Sequence, residues 1–460
     1  MEPAVIISSA LLITLILLEL TYFSYHLWVA SASSKYSVPK GYLGSAPIVV
    51  FHIPVKGEPQ ALLERALASI EQLKYPKDRI KVVVVCDDED PKPMEDVCRR
   101  AQEKLEVIFI HRSKARGFKA GALNEALRVE GDVVVVLDVD SIIPSNFLIK
   151  ALPSLYEADD VAAVTTRWEP LNPSESLVSE AVSFGQNFFT RGLFRGLQAK
   201  FGSSILMGSG CLLRRDTLLK VGMWDEKCVL EDVELSVRLR AKGYRIVYND
   251  SVPIWVEHPA SYSDLKKQQR RWACGASQVI LKHIKSILTS RLKSTEKLSL
   301  LIYLTQYCGL AIVGFSIILL PLLASFNGEP SLPLILPLLV IAMSLMGVYG
   351  YKLTRYRLSE HGLLRGIKAL GRIAALTVAM SLDVLISSLR PLIKLKCGWR
   401  VTPKGSSKRF LKHVPVLEFV LALLLMFTLI LSAMKSLLTL TSWSAVYLAA
   451  LAYVILKRFG

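Results

Sequence analysis

Acidic side chains that follow apolar runs are the residues of this sequence best suited to chemistry. Asp138 and Asp140 stand two positions apart at the end of VVVVLDVD. Two carboxylates at the end of a strand can share a divalent cation with a diphosphate, because Mg²⁺ and Mn²⁺ prefer oxygen ligands and substrate phosphates. The alternative is a solvated turn after a strand. The pair is a common pattern, and by itself it allows both interpretations.

Two other acidic groups allow a catalytic and a structural interpretation. Residues 87–90 read DDED after KVVVVC, where one carboxylate could accept a hydrogen bond from a nucleobase. The alternative is that Asp90 and Pro91 begin the next helix. Glu231 and Asp232 precede VELSVRLRAKGY, where an acid is either a helix cap or a general base that takes a proton from an attacking hydroxyl.

Cationic and aromatic residues occur together at 266–275, KKQQRRWACG. In a helix Gln268, Arg271 and Trp272 share one face, because they stand at i, i+3 and i+4. An indole can stack on a sugar ring, and a guanidinium group binds phosphate oxygens. The alternative is a membrane boundary, which tryptophan and arginine often mark. Lys404 in WRVTPKG (399–405) either reaches a phosphate or belongs to a basic connector.

The elements that must position these residues alternate between strand and helix from position 46. Strand-like runs such as 46–55 and 131–140 are apolar on both faces, and amphipathic segments separate them. This pattern predicts a mainly parallel α/β sheet, in which ligands bind beyond the carboxyl ends of the strands. KGEP (56–59), DDEDP and DVDS follow strands at such ends. No GxGxxG or GxxxxGK[ST] follows a strand, which argues against dinucleotide-binding dehydrogenases and P-loop NTPases.

The rest of the chain has the composition of a membrane protein. It is 52% hydrophobic, with a mean hydropathy of +0.39. Five apolar stretches predict membrane spans, at 4–30, 298–326, 332–351, 414–434 and 442–456. A sixth stretch, 373–393, contains Asp383 and Arg390, so we expect it to lie in the interface or against other helices.

Charge predicts the orientation and the partners. Basic residues concentrate in 352–372, 394–412 and the terminal KRF, which places the amino terminus outside and 31–297 in the cytoplasm. The net charge of +17 fits membrane lipids and an anionic substrate, and no nucleic-acid motif is present. Seven cysteines stand singly without metal-ligand spacing, so we expect them to be reduced.

The ordered set KGEP, DDEDP, KAGALN, DVD, ED and QQRRW, followed by membrane spans, resembles membrane-integrated family 2 glycosyltransferases over about residues 45–405. The resemblance implies a cytoplasmic GT-A fold (Rossmann-like, with a mainly parallel sheet) joined to a transmembrane helix bundle. It makes Asp232 the catalytic base, with Mg²⁺ or Mn²⁺ on Asp140. The implied ligands of the nucleotide sugar are Glu58, Asp87, Lys119, Asp138, Asp140, Arg270, Arg271 and Lys404, and those of the acceptor are Glu231, Gln268 and Trp272.

Two branches of the family resemble the chain. WRVTPKG is similar to the gating loop of cellulose synthases, and KAGALN resembles cellulose and mannan synthases; hyaluronan synthases belong to the same group. PVKGEP and 75–98 resemble ceramide glucosyltransferase instead. We therefore expect an inverting enzyme that builds a β-linked polysaccharide processively from a nucleotide sugar, UDP- more than GDP-linked, and that couples synthesis to export of the polymer. The alternatives are transfer of one sugar to a membrane lipid and a non-catalytic membrane channel or scaffold.

One residue departs from the family pattern, because Leu230 stands where processive members have Thr in TED. No code for the sugar is readable at 165–230, where Trp168, Glu169 and 208–210 are candidate lining residues. The predicted domains are an anchor (1–32), the glycosyltransferase domain (33–297), two spans (298–352), an interface helix with the WRVTPKG loop (353–412) and two spans (413–460).

Overall fold

The structure is a computed structural model that describes residues 3–355, 363–398 and 416–457. The described residues form an α/β domain and a set of long apolar helices. The strands are β1 (Val49–Val55), β2 (Ile80–Cys86), β3 (Glu106–His111), β4 (Val133–Val136), β5 (Val161–Pro170), β6 (Cys211–Arg214) and β7 (Arg245–Val256).

Helices of the domain pack on the sheet or connect it to the apolar helices. They are α2 (Gln60–Glu71), α3 (Lys92–Ala101), α4 (Phe118–Ala126), α5 (Phe147–Leu155), α6 (Leu177–Asn187), α7 (Arg195–Phe201), α8 (Arg215–Val221), α9 (Glu231–Ala241) and α10 (Tyr262–Thr289). A π-helical segment, Phe188–Phe194, joins α6 to α7, and short 3₁₀ helices occupy Ser31–Lys35 and Lys77–Arg79.

The sheet has the order β3-β2-β1-β4-β6-β5-β7. Every strand runs in the same direction except β6, which pairs antiparallel with β4 and with β5. The prediction of a mainly parallel sheet is therefore confirmed. All four valines of β4 are buried, as expected for a strand with helices on both faces. The carboxyl ends of β1, β2 and β4 meet at one edge, which is where KGEP, DDED and DVD begin.

The apolar helices are α1 (Pro3–Ala30), α11 (Ser294–Thr305), α12 (Tyr307–Ser325), α13 (Leu332–Arg355), α14 (Leu363–Leu389), α15 (Val416–Met434) and α16 (Leu438–Leu456). Among the described residues, all of these except α11 are long and apolar enough to cross a membrane. By this measure there are six candidate spans, one more than the five expected. The additional one is α14, which contains the 373–393 stretch.

Helix α14 packs against other helices, and its contacts reach both the domain and the bundle. Arg372, near its start, pairs with Glu180 of α6, and Asp383 lies 3.4 Å from Lys266 Nζ of α10. On its other side it packs along α12, where a Cβ on Gly314 would lie 2.7 Å from the backbone of Ser381. Because α14 contacts α6, α10 and α12 along its length, these contacts favour the predicted placement against other helices.

The connection between α1 and β1 is pinned to the domain. The Tyr36 hydroxyl donates to the Tyr248 carbonyl at 3.1 Å, and Gly41 N donates to the Pro153 carbonyl at 2.8 Å. A Cβ on Gly41 would lie 2.0 Å from the carbonyl oxygen of Tyr156, so only glycine allows this approach. The first apolar helix is thus fixed to the sheet through a closely packed linker.

Two cysteines differ from the sequence-based expectation. Cys274 in α10 and Cys397 after α14 form a disulfide that joins positions 123 residues apart. The expectation that all seven cysteines are reduced is wrong for this pair, and the other five are free thiols. Intracellular disulfides are typical of hyperthermophilic organisms, so the bond is compatible with a cytoplasmic domain.

Candidate active site

Asp232 lies at the start of α9, next to a glycine-containing loop. Its Oδ1 accepts a hydrogen bond from Val233 N at 2.8 Å. Burial, with a contribution from the charge of Glu231, raises the pKa of Asp232 to about 7, and Lys119 acts in the opposite direction. Gly208 has φ +81°, and a Cβ there would lie 3.3 Å from Asp232 Oδ2. The carboxylate therefore has the pKa of a group that exchanges protons near neutral pH.

Lys119 connects three acids of the site. It extends from α4, and its Nζ lies 2.6 Å from Asp138 Oδ1 and 3.4 Å from Glu231 Oε1. Although burial disfavours the ammonium charge, Asp138 and Glu231 raise the pKa of Lys119 above its usual range, and Asp232 contributes. The structure thus brings together Lys119, Asp138, Glu231 and Asp232, which the sequence predicted as site residues. A single buried cation balances part of their negative charge.

The DVD segment after β4 is held by the loop before β6. Ser209 Oγ accepts from Asp138 N at 3.0 Å and lies 2.8 Å from Ser141 Oγ. Trp168 Nε1 donates to the Ser209 carbonyl at 2.9 Å. Asp140 is buried, and its carbonyl accepts from Arg65 Nη2 at 3.1 Å. These bonds fix both aspartates at the edge of the sheet.

Glu58 lies after β1, near the carboxylates of two neighbouring strand ends. Its Oε2 accepts from Lys56 N at 2.6 Å, and Gly57 N donates to Asp88 Oδ1 at 2.5 Å. Burial raises the pKa of Glu58 to about 8, and the charges of Asp140 and Asp88 add to this effect. The charges of three carboxylates therefore act on one another at the ends of β1, β2 and β4, and a nearby cation would reduce this repulsion.

Asp87 is engaged in a bidentate ion pair. Arg112, directly after β3, donates from Nε to Asp87 Oδ1 at 2.7 Å and from Nη2 to Oδ2 at 2.5 Å. The same guanidinium donates to the carbonyls of Arg116 and Phe118, which lead into α4. Arg112 therefore joins the predicted base-binding aspartate to the helix that carries Lys119. Sequence reasoning missed it, because a lone arginine after a strand matches no motif.

Four of the five motif residues of α10 have different surroundings. Arg270 Nη1 lies 3.5 Å from Asp383 Oδ1 in α14, whereas Arg271 interacts electrostatically with Tyr307. Gln268 Oε1 is buried and has no hydrogen-bond partner among the described residues. Trp272 is partly buried in an apolar cluster. That cluster also contains Leu230, Val233, Tyr303 and Tyr307.

Helix α10 and the Asp232 segment thus share one apolar cluster, since Leu230 and Val233 flank Glu231 and Asp232. Tyr303 interacts electrostatically with Asp232 and belongs to the same cluster. Tyr303 was not predicted as a site residue, because the continuous apolar stretch 298–326 indicates a single membrane span. In the structure α11 ends at Thr305 and α12 begins at Tyr307, so Tyr303 precedes the candidate span. The predicted site residue Lys404 lies outside the described residues.

A chain with this mixed, mainly parallel sheet and this set of acids has the GT-A fold of nucleotide-sugar transferases. Residues 47–275 match the model of "Glycosyltransferase like family 2". The chain therefore carries a family 2 glycosyltransferase domain, and this domain together with the glycosyltransferase relatives makes it a hexosyltransferase. Its long apolar helices fit a multi-pass membrane protein.

Relatives and solved structures agree with this assignment. A probable glycosyltransferase of Sulfolobus acidocaldarius is 27% identical over 81% of this chain and 81% of its own length. Glucomannan 4-beta-mannosyltransferase 7 of Arabidopsis thaliana is 29% identical over 56% of this chain, which spans about half (48%) of that relative. The fold is similar to that of the mannosyltransferase PcManGT from Pyrobaculum calidifontis, solved with GDP-Man and Mn²⁺. The TM-score is 0.55 and the identity 22%, over 80% of this chain and 99% of that one.

Proposed function

We propose that the protein transfers a hexose from a nucleotide sugar to an acceptor hydroxyl with inversion, and that Asp232 is the general base. The observation that carries the proposal is the grouping of Asp138, Glu231 and Asp232 around the buried Lys119, where burial raises the pKa of Asp232 to about 7. A base with this pKa is largely ionised just above neutral pH and still accepts a proton effectively. Lys119 keeps positive charge near the departing diphosphate, where negative charge develops.

A divalent cation, Mg²⁺ or Mn²⁺, fits the carboxylates after β1 and β4. Among the described residues no three acidic, histidine or cysteine side chains form a complete metal site. Such ions commonly take only one or two protein carboxylates and complete their coordination with substrate phosphates and water. Asp140 would hold the ion, with Asp138 and Glu58 nearby. A bound ion would neutralise charge on the diphosphate leaving group.

The remaining predicted ligands divide between donor and acceptor. Asp87, positioned by Arg112, is placed at the sheet edge where the nucleobase would bind. Trp272 belongs to the cluster that flanks Asp232, so the acceptor sugar would stack there with Gln268 alongside. Arg271 is the better candidate for the diphosphate, because Arg270 is paired with Asp383.

We propose a β-linked polysaccharide as product and a mannosyl residue as the donated sugar. The curated relatives that share the catalytic domain include glucomannan 4-beta-mannosyltransferases, and the similar structure was solved with GDP-Man. These names support GDP-mannose beside the UDP-sugars expected from the sequence. The product assay must distinguish this polymer from the alternative product, a membrane lipid that carries a single sugar.

The test uses the detergent-purified full chain with radiolabelled GDP-mannose or UDP-glucose, with Mg²⁺, Mn²⁺ or EDTA, and Asp232→Asn as the matched inactive control. A ladder on a sizing gel that β-mannanase or β-glucanase digests supports the polymer. Label found only in the organic phase, as a single-sugar lipid, would contradict the proposal of a polymer product. No transfer and no donor hydrolysis across the panel would refute the proposed activity itself.

The same proposal places the domain in the cytoplasm with the amino terminus outside. The structure groups the segments expected outside at one end of the bundle, since Ser331 N donates to Ser9 Oγ at 2.8 Å and Lys435 Nζ to the Ala324 carbonyl at 3.0 Å. A protease-cleavable tag at the amino terminus should be cut in intact cells, whereas sites in the domain should be cut only after lysis. The reverse pattern would overturn this orientation.

A further inference from the structure

The helix α10 is attached to the membrane bundle on both sides of its QQRRW motif. Before the motif, Lys266 Nζ lies 2.7 Å from Glu418 Oε1 of α15 and 3.4 Å from Asp383 Oδ2 of α14. The Tyr262 hydroxyl donates to the same Glu418 oxygen at 2.6 Å. Within the motif, Arg270 pairs with Asp383. We call Lys266, Arg270, Asp383 and Glu418 the ionic cluster.

After the motif, the attachment is covalent. Cys274, two residues beyond Trp272, is bonded to Cys397, and both pack against Val229. At the next position a Cβ on Gly275 would lie 2.4 Å from Leu230 Cγ, so α10 is in direct contact with the residue before Glu231. The disulfide therefore joins the α14–α15 connection to the part of α10 that touches the segment leading to Asp232.

Further along, α10 is bonded to the domain itself. Gln278 accepts from Val229 N at 3.2 Å and donates to the Lys227 carbonyl at 2.6 Å. His283 Nε2 lies 2.7 Å from Glu234 Oε1 in α9. One helix thus carries bundle contacts at its start and catalytic-domain contacts at its end. The acceptor residues lie where the two sets meet.

Burial of the ionic cluster requires the desolvation of several charges, which is unfavourable. The side chains of Glu418 and Asp383 are 1% and 8% exposed, and Lys266 is 6% exposed. Buried ion pairs of this kind stabilise little relative to apolar packing, yet removing one partner is strongly destabilising because it leaves an unpaired buried charge. Charges at fixed positions do specify one register between helices, which apolar packing alone does less strictly.

We propose that Asp383, Glu418 and the Cys274–Cys397 bond are positioning elements that hold the acceptor-binding face of α10 in register with Asp232. This inference rests on the proposed function. Most donor ligands, Asp87, Lys119, Asp138 and Asp140, belong to strand ends and α4, and among the described residues no contact joins them to the disulfide or the ionic cluster. Arg271, the proposed diphosphate ligand, is the exception on α10. Loosening α10 should therefore reduce transfer to the acceptor far more than it reduces donor binding, to which α10 contributes only Arg271.

Reduction of the disulfide is the first test, on the purified full chain. Dithiothreitol supplies two electrons and two protons, the S–S bond breaks, Cys274 and Cys397 become thiols, and the reagent leaves as its cyclic disulfide. We expect transfer to fall about 10- to 100-fold, as for small misplacements of reacting groups. The nucleotide dissociation constant should stay within about twofold, and the ratio of donor hydrolysis to transfer should rise, since a misplaced acceptor leaves the donor to water.

Two variants and a peptide map complete this test. The double variant Cys274→Ser/Cys397→Ser should show the lowered transfer without further response to dithiothreitol. Cys308→Ser, which removes an exposed free thiol, should respond like the wild type. Peptide mapping without reduction should recover the Cys274–Cys397 pair. Two free thiols in fully active protein, or full transfer after complete reduction, would overturn the role of the bond.

The ionic cluster is tested by Asp383→Asn, with exposed Asp159→Asn as the matched control and Asp383→Glu as the conservative rescue. We expect Asp383→Asn to raise the acceptor KM and the hydrolysis ratio with donor affinity unchanged, and Asp383→Glu to recover part of the transfer. Equal loss of donor binding and transfer would indicate a merely structural role and refute the inference. If wild-type protein turns over no donor, the proposed function fails instead.

Discussion

Asp232 is expected to serve catalysis at the expense of stability, and its replacement tests both effects. Asp232→Asn removes the carboxylate that would accept the proton and keeps the size of the side chain. Loss of a general base lowers turnover by about 10²- to 10⁴-fold. The same change should stabilise the fold above neutral pH, because an ionised carboxylate in this place is disfavoured by burial and by Glu231.

The expected increase in the free energy of unfolding follows from the pKa of Asp232. A rise from 3.8 in the unfolded chain to about 7 in the fold corresponds to about 4 kcal/mol, at about 1.4 kcal/mol for each pH unit. Asp232 keeps part of its solvent exposure, so we expect roughly half of this, about 2 kcal/mol. The folded wild type holds a proton that the unfolded chain has released between pH 3.8 and 7. The loss of folding stability that ionisation of Asp232 causes therefore grows across that window and is complete above pH 7.

The assay is thermal unfolding of detergent-solubilised protein at pH 5 and pH 8, together with donor turnover. Asp232→Asn should unfold at a higher temperature than wild type at pH 8, with a smaller difference at pH 5. Asp160→Asn is the control of opposite sign, because a hydrogen bond from Arg245 lowers the pKa of Asp160, so its loss should not stabilise. Near-normal turnover of Asp232→Asn would refute its role as base. Unchanged or lower stability at pH 8 would refute the reasoning from burial.

Three further predictions concern the surroundings of Asp232 and the nucleotide. Lys119→Met should raise the pKa of Asp232, because the lysine charge lowers it, so the acidic limb of the kcat/KM profile should move to higher pH; an unmoved limb would contradict this contact. Gly208→Ala should cost at least about 1 kcal/mol and most of the activity, since φ is +81° and the new Cβ meets Asp232, whereas Gly185→Ala in a helix with open space should be tolerated. Asp87→Asn weakens the pair with its arginine, so titration should show a donor KM raised about tenfold with little change in kcat; a loss confined to kcat would place Asp87 elsewhere.

Strands β1 to β4, which alternate with helices, were predictable from the sequence. Strands β5 to β7 were not. Runs such as the valines of β2 and β4 are buried on both faces, so composition alone indicates them. β6 has four residues and runs antiparallel, which leaves no periodicity to recognise. The helical region from Leu177 to Phe201 contains a π-helical segment and contacts both the domain and the bundle. Its apolar residues therefore follow neither the pattern of a helix that packs on a sheet nor that of a membrane span.

The site shows a similar division. Motif spacing indicated Asp138 and Asp232, because each follows or begins a recognisable element. Lys119, which pairs with Asp138 and with Glu231 beside Asp232, reaches them only because distant loops fold back, and only the family resemblance named it. Cys274 and Cys397 are 123 residues apart, so no spacing rule pairs them. The orientation of the chain and its predicted domain boundaries stay predictions.

The pinned linker between α1 and β1 has a consequence for how substrates reach the site. With Tyr36 and Gly41 fixed to the sheet, and α10 fixed to the bundle, the domain and the membrane helices should rotate as one body. Rotation of the site relative to the bilayer normal is then as slow and restricted as that of the bundle itself. Under the proposed function, an acceptor would therefore have to reach the site by its own lateral diffusion or sliding, since the domain would not rotate away from the bundle to meet it.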